Sequence, residues 1–396
     1  MSARVDWSFA RSVAGRVAGQ EPFGESYHQS SLESDLLELT RQAEQLVEAE
    51  TGLVSAAGSA RAKVTDRLGW VDANLASFER LLGPLLRRLG TEDDDSTPSN
   101  RSGQAPNGSS NVSTTGLSQP SLTESLLTPI SRAVNTVSDT VGPKMAGAQL
   151  GALLGWMSSR VLGQYDLLIA EDDRPQDQDW VYYVGPNVVS LEKRYGFPPQ
   201  EFRLWIAVHE CTHRAQFTGV PWLRPYFLSL VNELLDSVDP DPKRFLDALT
   251  DTVREAREGS RTGLSEGGLS LLLATPEQRL TMKKVSGLMS LLEGHGDIIM
   301  DRATQDLIPS QQRFSRVMSQ RRKNSSGLTR LVQKLTGMEA KLAQYEEGEE
   351  FVRTVEASGG RELFDLVWTG PEALPTIDEI RSPDLWIERV GTPAGT

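Results

Sequence analysis

Two of the four histidines in this 396-residue chain, His209 and His213, are four positions apart, and Glu210 follows the first directly. Residues four apart share one face of an α-helix, so both imidazoles can point at a single ion. Glu210 is rotated by about 100° from His209, which lets its carboxylate reach water beside that ion without binding the ion itself. The spacing therefore predicts a zinc site for hydrolysis, with two histidine ligands and a glutamate base.

The surrounding sequence independently predicts a helix for this motif. Two prolines in "GFPPQEF" stand where a first helical turn tolerates proline, and the glycine and proline of "TGVP" stand where a helix ends. The lone cysteine, Cys211, is rotated by about 200° from His209 and is expected to face the core, not the metal. The motif thus has the helical context that such a zinc site requires.

A catalytic zinc usually has three protein ligands, so another segment must supply the third. The strongest candidate is Glu293 in "GLMSLLEGHGDIIMDRA", where ionisable residues are clustered within an apolar helix. Such flanks indicate partial burial, which is costly for charges that neither pair nor bind a cation. Asp297 shares a helix face with Glu293, and we expect it to accept the proton on the outer nitrogen of a ligating histidine.

His295 is an alternative third ligand. It is two positions from Glu293 and points to the other side of a regular helix, but Gly294 and Gly296 could break the helix and let it turn inward. In an unbroken helix the same glycines would let two helices approach closely. His295 is also a candidate for stabilising the transition state, as are Tyr345 and the tyrosines of "VYYVG", and the sequence does not rank them.

Most of the chain has the patterns of helices. "SLESDLLELTRQAEQLVEAE" places four leucines on a broad apolar face, with Ser31 and Ser34 near its start as caps, and "WVDANLASFERLLGPLLRRLG" repeats the pattern up to Gly90. The only convincing strands are two short runs, Tyr165–Ala170 and Trp180–Leu191. The prediction is a mainly α fold with a minimal β-sheet or hairpin near the active site.

Composition divides the chain into regions. Residues 91–120 are rich in Ser, Asn, Gly and Pro and almost devoid of large apolar residues, which predicts disorder. We therefore expect an N-terminal helical region at 1–90, a disordered linker at 91–120, a catalytic core at 121–360 and a closing segment at 361–396. Within the core, glycines at 147, 151 and 155 recur every four residues, which predicts a stripe where another helix backbone packs closely.

Charge and cysteine content limit the partners and the compartment. A formal net charge of −13, with no basic stripe, argues against nucleic acid as a partner. The single cysteine fits a reducing compartment, and the N-terminal sequence lacks the apolar stretch of a secretory signal. The most hydrophobic segment, 144–163, carries charged residues and has too few apolar residues to cross a membrane. We therefore expect a cytoplasmic protein that binds neither nucleic acid nor membranes.

His209-Glu-Cys-Thr-His213, followed by Glu293-Gly-His-Gly-Asp297, resembles the pattern of the gluzincin branch of zinc metallopeptidases. More closely, the chain resembles the actinobacterial zincin-like family of zinc-dependent metalloproteases or hydrolases, some of whose members are associated with deazaflavin-cofactor biosynthesis. The stretches that carry this resemblance include "GAQLGALLGWMSSRVLGQYDL", "LWIAVHECTHRAQF", "LLEGHGDIIMD" and "LPTIDEIRSPDLWIERV". They span most of the chain after about residue 140.

The resemblance implies zinc as the cofactor, ligands at His209, His213 and Glu293, and a base at Glu210, but no particular substrate. One departure from well-studied gluzincins is the longer separation of Glu293 from His213. Helical sequences such as "PYFLSLVNELLDSV" and "PKRFLDALTDTVREAREG" lie between them.

These observations favour a mainly helical, zincin-like zinc metallopeptidase that acts on a peptide or protein, with an edge strand available to pair with an extended substrate. The alternative is a catalytically inactive zincin-like scaffold that binds a protein partner, in which Glu210 is dispensable. A third possibility is a metalloenzyme that acts on a non-peptide amide or a cofactor precursor.

Overall fold

The structure is a computed structural model that describes residues 5–23, 27–91, 143–167, 179–236, 275–323 and 338–391, and side chains over 5–23, 31–83, 143–167, 179–235, 275–321 and 347–391. The described residues are mostly helical and include a three-stranded sheet, which confirms the predicted mainly α fold with a minimal sheet. No described helix combines the length and the apolar character needed to cross a membrane. The linker predicted to be disordered lies, from residue 92 onward, outside the described residues.

The elements follow one another along the chain with short strands set among longer helices. In order they are α1 (Trp7–Ala18), α2 (Tyr27–Thr51), β1 (Arg61–Thr65), α3 (Arg67–Thr91), α4 (143–158), β2 (Gly163–Tyr165), β3 (Trp180–Val184), α5 (Gly185–Tyr195), α6 (Pro199–Gly219), α7 (Leu223–Asp236), α8 (Pro276–Thr304), α9 (Gln311–Lys323), α10 (Met338–Phe364), α11 (Ile377–Arg381) and α12 (Pro383–Val390). Two 3-10 helices, Asp365–Trp368 and Pro371–Ala373, lie between α10 and α11.

These elements form two compact units, each discontinuous in sequence. One comprises the described residues of 1–19 and 71–158, and the other comprises those of 20–70 and 159–396. The linear division into 1–90, 91–120, 121–360 and 361–396 remains a prediction. All the predicted site residues lie in the second unit.

In the first unit, α4 packs against α1 through the glycine stripe that the sequence predicts. A Cβ on each glycine would lie within 2.5 Å of a backbone oxygen of α1 or its N-cap, with Gly147 against the N-cap Asp6, Gly151 against Ala10 and Gly155 against Ala14. Real Cβ atoms do not come so close, so any larger residue would force the two helices apart. The prediction of close helix packing is confirmed.

The sheet has the order β1-β3-β2, with β1 parallel and β2 antiparallel to β3. The strand predicted to begin at Tyr165 instead ends there, and the rest of that run is either not strand or outside the described residues. The second predicted strand stops at Val184 because Gly185 and Pro186 begin α5, where proline suits the first turn. The prediction missed β1, whose short sequence "RAKVT" has a weak pattern and is placed by its pairing with β3.

Helix α2 confirms the predicted amphipathic segment, but its start differs. It begins at Tyr27, so Ser31 and Ser34 lie inside the helix and the prediction that they cap it is wrong. Ser34 instead donates its hydroxyl hydrogen to the carbonyl of Ser31 at 3.0 Å. On the leucine-rich face, Leu32 and Leu36 are fully buried, whereas Leu37 is 38% exposed and does not belong to the core.

Helix α6 lies between α2 and α8 and carries the histidine motif over the range that its flanking prolines and glycine predict. Cys211 is buried, with its thiol 3.6 Å from the carbonyl of Thr40, as expected for a core residue. α8 starts with a capping box formed by Thr275 and Gln278, which satisfies the first free N–H groups of the helix. Its apolar residues then bury the segment that carries Glu293.

Helix α8 continues without a break through both of its central glycines. A Cβ on Gly294 would lie 2.2 Å from the carbonyl carbon of Gly348 in α10, and a Cβ on Gly348 would lie 2.0 Å from the oxygen of Ser290. The close helix contact expected of Gly294 therefore exists, and its partner is α10. The suggestion that these glycines break the helix and turn His295 inward is wrong, because α8 is regular through both positions and Gly294 serves to pack it against α10.

Candidate metal centre

The structure brings His209, His213 and Glu293 together. One ligand atom from each lies within 4.8 Å of the other two, and all three side chains are partly buried. Nε2 of His213 is 3.6 Å from a carboxylate oxygen of Glu293, and the two imidazole centroids are 4.7 Å apart with the rings nearly perpendicular. Two nitrogen donors from α6 and one oxygen donor from α8 thus face a common point.

This donor set fits Zn²⁺. Zinc is commonly bound by two histidines and a carboxylate, with a fourth position open. Bonds of about 2.0–2.2 Å in a tetrahedron place ligand atoms about 3.5 Å apart, so small side-chain movements would close the observed spread. Burial lowers the pKa of His213, but the adjacent carboxylates of Glu293 and Glu210 outweigh it and raise the pKa to about 9. The centre therefore attracts positive charge.

Gly296 of α8 faces the edges of both histidine rings. A Cβ there would lie 3.4 Å from Cε1 of His213 and 4.0 Å from Cε1 of His209, which are ordinary van der Waals distances. The close approach of two helices expected of both glycines therefore requires glycine at position 294 but not at position 296.

Glu210 lies beside the ligands and is held by strand β2. One carboxylate oxygen accepts the backbone N–H of Tyr165 at 3.1 Å. The other oxygen lies so close to Gly163 that a Cβ there would be 2.6 Å away. Burial, with a contribution from the charge of Glu293, raises the pKa of Glu210 to about 7 against the opposing effect of His213. A carboxylate that titrates near neutral pH suits the transfer of a proton in both directions.

Gln216, which the sequence analysis missed, supports His213 from behind. It is fully buried, and its amide nitrogen lies 3.0 Å from the carbonyl oxygen of Leu292 and 2.9 Å from Nδ1 of His295. A carbonyl oxygen only accepts, so the amide nitrogen must face Leu292 and the amide oxygen must face Nδ1 of His213, 3.0 Å away. Nδ1 of His213 then carries hydrogen, so Nε2, which faces Glu293, is the nitrogen that can bind a metal once its own proton has been displaced.

A sequence signal for Gln216 does exist. It follows His213 by three positions and shares its helix face, so a polar residue at that place in an otherwise apolar turn is a candidate partner for the imidazole. What the sequence does not contain is the carbonyl of Leu292, directly before Glu293, which fixes the orientation of the amide. Gln216 consequently links the helix of the second histidine to the helix of the third ligand.

The structure does not bring His295 to the metal centre. Its ring stacks on Phe364 with centroids 5.3 Å apart, meets Trp368 edge-on and accepts the amide hydrogen of Gln216. Burial, with the nearby charge of His213, lowers the pKa of His295 to about 3, so the ring is neutral. His295 is therefore not one of the clustered ligand residues, and its ring instead supports the amide of Gln216.

A cavity of about 270 Å³ lies beside the centre. Its lining includes His209, Glu210 and Asp297, together with apolar residues of α6 and α8. Asp297 thus shares a cavity with the first histidine, whereas the outer nitrogen of His213 is occupied by Gln216. The cavity also contains Arg160, a cationic residue that the sequence analysis did not single out.

The tyrosines suggested as oxyanion donors lie elsewhere or outside the described side chains. The hydroxyl of Tyr183 is buried in the core and lies 2.8 Å from the hydroxyl of Thr40. Tyr182 packs under Lys63 and does not line the cavity. The side chain of Tyr345 is not among those described.

Two histidines on one helix, a carboxylate from a second helix and a buried glutamate beside them are the arrangement of a metallohydrolase. Residues 5–387 match the family profile of zincin-like metallopeptidases, and the chain belongs to that family. It is also similar to a crystal structure from Chloroflexus aurantiacus described as a "putative hydrolase with a novel fold", with 28% sequence identity, a TM-score of 0.63, and coverage of 98% of this chain and 100% of that one. Curated protein sequences gave no match.

Proposed function

We propose that the protein is a zinc-dependent metallopeptidase that hydrolyses peptide bonds. The observation that carries this proposal is the convergence of three zinc-type donors from α6 and α8, with a buried glutamate in the adjoining cavity. Membership of a metallopeptidase family supports the same reaction class. A scaffold without catalysis would need the histidines and Glu293, but it would not need a carboxylate held beside them.

The ligand residues in this proposal are His209, His213 and Glu293. A zinc ion held by them supplies Lewis acidity, which makes water a stronger acid and polarises the scissile carbonyl group. Gln216 keeps His213 in the tautomer that offers Nε2 as a ligand. Asp297 is proposed to orient His209 in the same manner, because it lines the same cavity and the outer nitrogen of His213 already has Gln216 as its partner.

Glu210 is the proposed general base. Its carboxylate accepts the proton of the attacking water and returns it to the leaving amine, which completes the cleavage of the C–N bond. Burial raises the pKa of this carboxyl in the metal-free centre, which favours its taking up a proton, and the N–H of Tyr165 holds one of its oxygens in place. Arg160, which lines the cavity, is placed to offset negative charge that develops on the substrate carbonyl oxygen.

Strand β2 is the proposed site of backbone pairing with the substrate. The carbonyl of Leu162 accepts from Val184 at 2.9 Å, and the N–H of Asp166 donates to Trp180 at 3.0 Å, so these residues face β3. Antiparallel strands alternate the direction of their polar groups, so the backbone of Gly163 faces away from β3. Gly163 also lines the cavity. An extended peptide could therefore pair with this edge next to Glu210.

A cytoplasmic location, suggested by the single buried cysteine, is part of this proposal. The association of relatives with deazaflavin-cofactor biosynthesis, expected from the sequence resemblance, remains a prediction about the pathway and identifies no substrate.

Two measurements on the full chain test the proposal. Metal analysis of the purified protein should find about one zinc per chain, and His213→Ala should remove it while circular dichroism shows a retained fold. Digestion of a blocked decapeptide library, read out by intact mass, should then give cleavage products with the wild type and none with Glu210→Gln. Zinc binding without any Glu210-dependent cleavage would favour the scaffold alternative.

A further inference from the structure

The cavity at the metal centre adjoins a second cavity along α8. The first has a volume of about 270 Å³ and the second about 680 Å³. Asp301 of α8 and Ser315 of α9 line both of them. The two cavities are therefore neighbours on either side of these residues, which brings the second cavity within reach of a long molecule bound at the metal centre.

Residues one helical turn apart line the two cavities in succession. On α8, Asp297 lines the first cavity, Asp301 lines both and Gln305 lines the second. On α10, Glu349 lines the first and Arg353 the second. Because residues four apart share a helix face, this order indicates one groove that follows the helix axes.

The length of the groove sets the size of its ligand. Asp297 and Gln305 are eight residues apart, which is about 12 Å at 1.5 Å per residue. An extended peptide advances about 3.3 Å per residue, so it would cover this distance with about four residues. A free amino acid or a dipeptide at the metal centre would not reach the second cavity.

The charge changes sign along the groove. Four carboxylates and one arginine, Arg160, line the first cavity, whereas one carboxylate, Asp301, and three arginines line the second. Arg302 is paired with Glu356, and Arg353 lies 3.4 Å from Glu349. Within the described part of the chain, Arg316 has no ion pair and is exposed to solvent. Arg316 is thus the cation best placed to receive an acidic side chain from a ligand.

We propose that this groove binds an extended polypeptide and that Arg316 holds an acidic side chain about four residues from the bond at the metal centre. The inference rests on the proposed function for the position of the scissile bond. It assigns the substrate class as polypeptides with an acidic residue at that distance, which can be cleaved at internal bonds, and not as free dipeptides or small amides.

Binding tests the groove without relying on cleavage. The full chain carrying Glu210→Gln is titrated into fluorescein-labelled, end-blocked decapeptides of alternating Ala and Glu or alternating Ala and Lys, and anisotropy is measured. The formal charge of −13 favours the Lys peptide non-specifically, so tighter binding of the Glu peptide requires a local cationic site. Arg316→Glu should weaken binding of the Glu peptide by about fivefold.

Lys193→Glu is the matched control, because it makes the same charge change at an exposed position that lines neither cavity. Equal binding of the two peptides, or an equal loss in Lys193→Glu and Arg316→Glu, would overturn the groove proposal.

Cleavage of the blocked library separates the groove from the proposed function. Enrichment of Asp and Glu about four residues from the cleaved bond, lost in Arg316→Glu, supports both. Cleavage without that preference, or cleavage of unblocked dipeptides alone, overturns the groove and leaves the peptidase. Arg316-dependent binding of the Glu peptide with no cleavage of any peptide overturns the peptidase and leaves the groove.

Discussion

Helix α6 contributes charged side chains to two groups, which differ in how their charge is balanced. They are the arginine group, Arg203 and Arg214, and the histidine group, His209, Glu210 and His213 with Glu293 of α8. In the arginine group, Arg203 donates to both carboxylate oxygens of Glu192 at 2.7 and 2.9 Å. Arg214 donates to Asp179 at 2.7 Å and to Glu44 at 2.6 Å. Each guanidinium has anionic partners fixed in the fold, and its planar array of donors satisfies them without a bound ion.

In the histidine group, the carboxylates of Glu210 and Glu293 lie beside imidazoles, whose charge depends on pH. Burial raises the pKa of Glu210 to about 7, whereas Glu293 and Glu210 raise the pKa of His213 to about 9 despite burial. Burial is thus common to both groups, and the permanence of the positive charge is what differs. The arginine group is suited to hold α6 in place, and the histidine group is suited to bind a cation and move a proton.

The largest expected effect distinguishes the role of Glu210 from that of Glu293. Glu210→Gln removes the proposed base but no ligand, so turnover should fall by about 10²–10⁴-fold while zinc content stays at the wild-type level. Glu293→Gln removes a ligand oxygen and should lower zinc affinity as well as turnover. Kinetics on the peptides found by library digestion, with zinc measured on the same samples, provide the test. Full activity of Glu210→Gln would contradict the mechanism.

Substitutions in the arginine group should lower the stability of the protein but leave its zinc binding unchanged. Arg214→Met leaves Asp179 and Glu44 without their cation in a buried setting, so the free energy of unfolding should fall by about 3–5 kcal/mol. Arg41→Met breaks the exposed pair with Glu38 and should cost less than about 1 kcal/mol. Urea unfolding measures both variants. The amount of zinc bound per folded chain should stay unchanged in each variant. Loss of zinc from folded Arg214→Met would contradict the distinction between the arginine group and the histidine group.

A feature of either group can be predicted from the sequence when it depends on one helix alone, and cannot when it depends on contacts between distant segments. The spacing of His209 and His213, the rotation of Glu210 and the burial of Cys211 are all local properties of one helix, so periodicity predicts them. The burial of the segment around Glu293 follows from its apolar flanks. Nothing local distinguishes Arg203 and Arg214 from exposed arginines, because their partners lie far away in sequence.

The same limit explains the other differences. β1 is placed by pairing with β3, and Glu210 is held by groups of β2, so both depend on contacts between distant segments. The amide of Gln216 takes its direction from a backbone carbonyl on another helix. Sequence patterns therefore predict which side chains face the centre, whereas the groups that orient them depend on tertiary packing.

A smaller effect tests whether Gln216 supports the histidine group through His213. Gln216→Leu removes the acceptor of the Nδ1 hydrogen of His213, and zinc affinity should fall by about 10–100-fold in chelator competition. Gln216→Glu retains an acceptor oxygen and should restore most of that affinity, which a general packing defect would not show. Thr218→Val, which loses a hydroxyl bonded to the carbonyl of Arg214 on the same helix, should leave zinc affinity unchanged. Wild-type affinity in Gln216→Leu would remove Gln216 from the centre.

The smallest expected effect is the release of protons when zinc binds. With a pKa of about 9 in the metal-free centre, His213 is protonated at pH 7.5, and zinc must displace that proton to reach Nε2. Calorimetry in buffers of different ionisation enthalpy should therefore report about one proton released per zinc. Apparent zinc affinity should rise with pH up to the pKa of His213, since less of the competing proton is bound. An affinity that stays constant between pH 6.5 and 8.5 would mean that Glu293 does not hold a proton on His213, and the contrast between permanent and titratable charge on α6 would then fail.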